Sequence, residues 1–157
     1  MHKRIISYGP REVAATEPGW LDLDRLVQVE ITSEDVDYPI ESALMPGTGL
    51  GWRAAQPGEQ TIRLLFDAPR NLRRIHLMFH EGEQERTQEF ALRWSPDGGQ
   101  SYREIVRQQY NFSPPGATRE VEDYEINIDG VTVLELKIVP DISGGLARAT
   151  LAQLRVA

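Results

Sequence analysis

Two histidines stand where chemistry would first be sought, because His76 and His80 have the i, i+4 spacing at which a helix brings two imidazoles to one zinc ion. The segment that carries them, LRRIHLMF (72–79), alternates apolar residues at Ile75, Leu77 and Phe79 and reads as a strand. On a strand, residues four apart lie about 13 Å from each other at roughly 3.3 Å per residue, too far to share an ion. Glu81 follows His80 directly, no HExxH occurs, and no third ligand stands nearby. No Gly-x-Ser-x-Gly elbow supports a serine nucleophile, and the chain has no cysteine to serve as one. An enzyme is not expected, and neither a metal nor a cofactor. What remains is binding chemistry. Tyr38, His80, Arg86, Tyr110, Asn111, Phe112 and Asp141 offer rings, an amide and charges, a mixture suited to a sugar or a peptide.

The elements that must position these residues show a period of two rather than 3.6. VQVEI (27–31), QTIRLLF (60–66), LRRIHLMF (72–79), QEFALRW (88–94), SYREIVRQQ (101–109), REVEDYEINI (119–128), TVLELKIV (132–139) and ARATLAQLRV (147–156) predict about eight strands. The fifth and the last change the face of their apolar residues partway, which predicts a bulge in each. Turn sequences separate the strands: DAPRN, SPDGGQ, DG, and the richer PGTGLG, SPPGA and PDISGG. An all-β sandwich or barrel follows. If every connection of an antiparallel sandwich reverses the chain, alternate connections share an end. That parity gathers residues 32–51, 80–87, 110–118 and 140–146, the long connections, and leaves DAPRN, SPDGGQ and DG at the opposite end. Long loops on a rigid scaffold are where binding residues concentrate, and this places the seven candidates above on one surface. Tyr110 and Phe112 either face a ligand there or fold their loop over the core.

The chain has 157 residues, 40% of them apolar, which suits a single domain over 1–157. Residues 1–26 read as an irregular lead-in, with one helical turn at LDLDRL (21–26). Absence of cysteine fits a reducing compartment, and the expected location is cytoplasmic. The amino-terminal residues MHKRIISYGPREV lack the apolar core of a signal peptide, and no run of about 18 apolar residues predicts a membrane span. A net charge of -7 repels phosphate and anionic lipid, so no nucleic-acid or membrane partner is expected; Arg70, Arg73 and Arg74 read as a solvated turn and strand face. Nothing in the sequence sets an oligomeric state.

The order of the motifs resembles the discoidin family, also called the coagulation-factor type C domains. ITSED closes a first strand, a glycine loop ends in GWRAA, a strand closes on DAPRNLRRIHL, and FALRWSPDGGQSYREI carries Ser95, Asp97, Gly98 and Tyr102 at the places of that family's Ser-x-Asp-Gly hairpin and following aromatic. TVLELKIV and ATLAQLRV are similar to its last two strands. The resemblance runs from about Val27 to the end and implies a galactose-binding-like jelly roll of two antiparallel sheets. It also implies that Trp52 begins a strand beneath the binding loops, as a core plug whose N–H finds a loop carbonyl; Trp94, in step with Phe90 and Leu92, belongs to the core. Many members hold calcium with acids before this tryptophan and in the last strand. Here the loop reads LMPGTGLGW and Gln153 stands at the second place, leaving only backbone carbonyls and Thr48, so no calcium is expected. Carbohydrate binding is the role the resemblance implies first, and an intracellular protein-interaction scaffold is the alternative.

Overall fold

The computed structural model describes residues 19–47 and 50–157. Most of the lead-in, residues 1–18, and Thr48 of the glycine loop therefore lie outside the described residues. Among these residues eight strands and two helical turns follow in order: α1 (Leu23–Leu26), β1 (Val27–Ile31), α2 (Glu41–Leu44), β2 (Trp52–Pro57), β3 (Gln60–His80), β4 (Arg86–Ser95), β5 (Arg103–Phe112), β6 (Arg119–Val139), β7 (Arg148–Leu151) and β8 (Gln153–Val156). The helical turn expected within 21–26 is α1.

Two long strands make the frame. Antiparallel β3 and β6 pair from Gln60↔Ile138 to His80↔Arg119, with register shifts between Leu65 and Arg74. On one side of that irregular stretch the ribbon takes up β1, β4 and β5, in the order β1-β3-β6-β4-β5; on the other, β8 pairs with β3. The ribbon turns a corner there, and its two halves face each other. Phe79 of the second half meets Phe90 of β4 with ring centroids 5.2 Å apart, and Gln88 of β4 donates to Glu120 at 3.1 Å. DAPRN and Asp129-Gly130 are thus corners within continuous strands, not the hairpin reversals their turn residues predict. Gly130 supplies the positive φ of 74° there, and its N–H is received by Asn71 Oδ1.

Alternation along the ribbon explains the core. Ile62, Leu64, Phe66, Leu72, Ile75, Leu77 and Phe79 are buried along β3, and each such side chain removed from water contributes about 1.5–3 kcal/mol. The step from Leu72 to Ile75 breaks the period because both Arg73 and Arg74 donate their N–H to the carbonyl of Ala157, at 2.6 and 2.9 Å. That bulge brings Leu72 and Ile75, three residues apart, to the same buried face. The bulge expected in the fifth strand is at Ile105, skipped between Leu92↔Val106 and Arg93↔Glu104. The last expected strand divides at Ala152 into β7 and β8. On the outer face of the larger layer, Glu135 sits in register between Arg63 and Arg93 and accepts from them at 2.8 and 2.7 Å. Strand β2 begins at Trp52, as the resemblance implies although no alternation marks it, and among the described residues it pairs with β7 alone.

The ends of the sandwich carry the loops in the grouping that parity gave, although the corners rather than hairpin turns produce it. Gly98 N–H bonds Thr132, whose hydroxyl donates to the carbonyl of Ser95, so the SPDGGQ turn meets the Asp129-Gly130 corner. At the other end, Ile142 N–H bonds the carbonyl of Thr87 and Asp35 N–H that of Arg53.

Candidate functional site

The long-loop end is built around Arg86. Its side chain is fully buried and donates to Glu81 Oε1 at 2.7 Å, to the carbonyl of Pro140 at 2.8 Å and to Gln88 Oε1 at 3.3 Å, while the guanidinium lies 4.7 Å over the Phe112 ring. One cation thereby holds the 81–85 loop, the 140–146 loop and the end of β5. Glu81 completes the clamp by receiving the N–H groups of Glu83 and Gln84. Burial raises its pKa, but Arg86 and these N–H groups prevail and hold it below the ordinary carboxylate value. Sequence reasoning offered Arg86 to a ligand and left Phe112 either facing one or folding its loop over the core; both are buried, at 3% and 0% exposure, and anchor the loops. Phe112 shares its inward face with Tyr110, the two rings meeting edge-on at 5.0 Å. Tyr110 closes the rim by donating its hydroxyl to the carbonyl of Arg119. These residues, with Asn111, lie in strand β5 rather than in the loop where the sequence placed them, and Asn111 accepts from Thr87. Asp141 receives the N–H and hydroxyl of Ser143, which lower its pKa and shape its loop.

Tyr38 and His80 remain open, and the structure brings them together. With Leu50, Trp52, Arg53 and Thr150 they line a pocket of about 210 Å³. The Arg53 guanidinium stacks 4.4 Å over the Tyr38 ring, and Thr150 donates to the carbonyl of His80 at 3.1 Å. Trp52 is 1% exposed and donates its indole N–H to the carbonyl of Ser33 at 3.1 Å, the core plug that its junction position predicts. Gly51 makes this possible. Its φ is +84°, and a Cβ there would stand 2.5 Å from the carbonyl oxygen of Leu151. Sequence reasoning missed Leu50, Arg53 and Thr150 as pocket residues. The signal for Arg53 was its position after Trp52; Thr150 carries none, since only the β2–β7 pairing brings it there.

His76 lies on the outer face of the same strand as His80, its Nδ1 3.4 Å from Asp123. Among the described residues no group of three potential metal ligands is gathered. Arg73 and Arg74 pair with Asp129 and Asp123, which removes two of the three cations from the short basic run.

No protein-family model matches this chain, and no curated protein sequence does. Solved structures do match. The chain is similar to the family 32 carbohydrate-binding module of NanJ from C. perfringens, solved with galactose, at TM-score 0.63 and 13% identity over 87% of this chain and 96% of that one. It is similar to a family 32 module of a family 31 glycoside hydrolase from Clostridium perfringens at TM-score 0.64 and 17% identity, over 87% and 93%. A third, CpGH89CBM32-5 from Clostridium perfringens, solved with GalNAc-β-1,3-galactose, gives TM-score 0.62 and 18% identity over 88% and 99%. At these identities the likeness is one of fold, and the chain has the galactose-binding-like β-sandwich.

Proposed function

We propose that this single domain is a non-catalytic carbohydrate-binding module that receives its sugar at the long-loop end. The observation that carries the reading is the pocket of Tyr38, Arg53, His80 and Thr150, which sets a ring beside hydrogen-bonding groups on a scaffold that a buried arginine holds rigid. The similar modules solved with galactose and GalNAc-β-1,3-galactose support the ligand class. A glycan array followed by titration calorimetry tests it: Tyr38→Ala or His80→Ala lowers affinity for the bound glycan about tenfold, about 1.4 kcal/mol, with the melting temperature unchanged. Binding that survives both substitutions removes the pocket from the proposal.

A second reading rests on four exposed aliphatic residues at the same end, Val36, Leu50, Ile142 and Leu146, at 88%, 79%, 48% and 85% exposure. Such side chains suit a protein partner better than a sugar. Co-purification of one partner from the native cell, lost on Leu146→Ser, favours that scaffold reading. The absence of cysteine keeps the cytoplasm as the proposed location, which cell fractionation tests.

A further inference from the structure

The chain carries a net charge of -7, and among its described residues seven arginines are paired with carboxylates. Arg53, on the wall of the loop-end pocket, is not one of them. Strand alternation puts it there: Trp52 and Ala54 on either side of it are buried in the core, so Arg53 turns the other way and is half-buried. Among the described residues its guanidinium makes no hydrogen bond and has no carboxylate within 4.0 Å. Its contact is the Tyr38 ring, whose centroid lies 4.4 Å away. Stacking of this kind covers a face of the guanidinium, whereas its five N–H groups lie in the plane and stay uncommitted.

The acids of the neighbourhood are occupied by other partners. Asp35 gives its backbone N–H to the carbonyl of Arg53, but its carboxylate accepts from the Asp37 N–H and faces Arg148 at 3.7 Å. Glu34 accepts from the Ile40 N–H. Glu81, next to His80, is held by Arg86 and by the N–H groups of Glu83 and Gln84. Asp37 is exposed and lines no part of the pocket. Among the described residues the lining thus holds a guanidinium and an imidazole and no carboxylate.

That composition selects a ligand by charge. The Tyr38 face toward Arg53 is taken, and Trp52 is 1% exposed, so neither offers that surface to a sugar ring. A cationic ligand would meet Arg53 with no acid to offset it. A neutral one leaves the charge of the fork unmatched. A carboxylate matches it with two parallel N–H···O bonds, made by a guanidinium that Tyr38 already holds in place and that is partly sheltered from water.

We infer that the loop-end pocket takes an acidic sugar, a hexuronic acid residue whose carboxylate sits on the Arg53 fork. This rests on the carbohydrate reading of the same pocket and adds the charge of the ligand to it. Methyl glycosides of galacturonic, glucuronic and mannuronic acid are titrated into the protein by calorimetry, each beside its methyl ester and its neutral parent hexose. At least one acid binds about tenfold more tightly than its ester and its parent, about 1.4 kcal/mol, and Arg53→Gln brings it down to the ester. In a proton–nitrogen correlation spectrum the Arg53 Nε–H signal, identified by its loss in that variant, moves as the acid is added. If glutamine lowers the melting temperature, Arg53→Lys keeps the charge without the fork and retains only part of the preference. An ester or parent hexose that binds as tightly as its acid overturns the inference and leaves the carbohydrate reading standing. A preference for the acid undiminished in both variants overturns it as well. Silence toward all of these compounds also overturns it, and the glycan array then judges the carbohydrate reading separately.

Discussion

Two carboxyl groups at opposite ends of the sandwich are displaced in opposite directions. At the short-turn end, the hydroxyls of Ser101 and Ser95 and the Ser101 N–H hold Asp97 down at about 2. At the long-loop end, burial, with the Glu122 carboxyl beside it, pushes Glu120 up to about 8, and the Gln88 amide and Arg86 guanidinium only partly oppose this. Every partner that lowers Asp97 lies within four residues of it. The groups acting on Glu120 come from two strands and are joined in a buried chain, Glu81 to Arg86 to Gln88 to Glu120. One end meets its polar requirements locally and in water; the other does so at long range and out of water. The second arrangement costs more to break, and it leaves surface aliphatics and an open pocket for something else to use.

The largest test of that difference removes one group from each end. Arg86→Met leaves Glu81 half-paired and the carbonyl of Pro140 without its donor, and breaking a buried ion pair in this way costs about 3–5 kcal/mol. Thermal unfolding should fall by about 10 °C, at roughly 2–4 °C per kcal/mol for a domain of this size. Asp97→Asn, at a fully exposed turn, should lower the melting temperature by much less. Equal losses would show that both ends are held in the same way.

Glycine sharpens the comparison at smaller scale. Gly98 and Gly51 have φ of +73° and +84°, so alanine is strained at either, but around Gly98 a Cβ meets nothing within 4 Å while at Gly51 it meets backbone of Leu151 at 2.5 Å and Ala152 at 2.8 Å. Gly98→Ala should cost about 1 kcal/mol, and Gly51→Ala about 2 kcal/mol or more, because the backbone between β7 and β8 must move as well. Chemical denaturation of the two variants measures this. A Gly51 variant as stable as the Gly98 one would mean that the loop before Trp52 is free to shift.

The same contrast decides what could be read in advance. Strands were legible wherever alternating apolar residues fill a half-buried face, as in β1, whose bounds the sequence predicts residue for residue. DAPRN and DG were misread because turn residues report local bending, whereas the continuity of β3 and β6 is set by pairing between residues 39 to 78 apart. WRAAQP has little strand propensity and is held by β7, so no alternation shows β2 and the resemblance alone placed a strand start at Trp52. Among the candidates, Tyr38 and His80 were named from loop position, and the structure sets both on the wall of the loop-end pocket. Arg86 and Phe112 have the composition of ligand contacts, and only their burial in three dimensions reveals anchors.

The smallest expected effect is a dependence on pH, and its sign separates the two ends. Glu120 holds its proton in the folded state up to about 8, above the ordinary 4.5, so folding takes up a proton between those values. Its contribution to stability is full below the lower value and is lost as pH rises through the upper one, at up to about 1.4 kcal/mol per pH unit. Asp97 behaves oppositely: its contribution is present above its ordinary 3.8 and is lost as pH falls through about 2. Replacing Glu120 by glutamine keeps an acceptor for the Gln88 amide and removes the ionisation. Measured from about pH 5 to about pH 9, the Glu120→Gln melting temperature should rise relative to the wild type as pH increases, and the two should converge at the acidic end. Asp97→Asn should leave that alkaline slope untouched and flatten only the acid limb. A wild-type slope that Glu120→Gln leaves unaltered would mean that water reaches this carboxyl, and the buried chain behind the loop-end pocket would then be open.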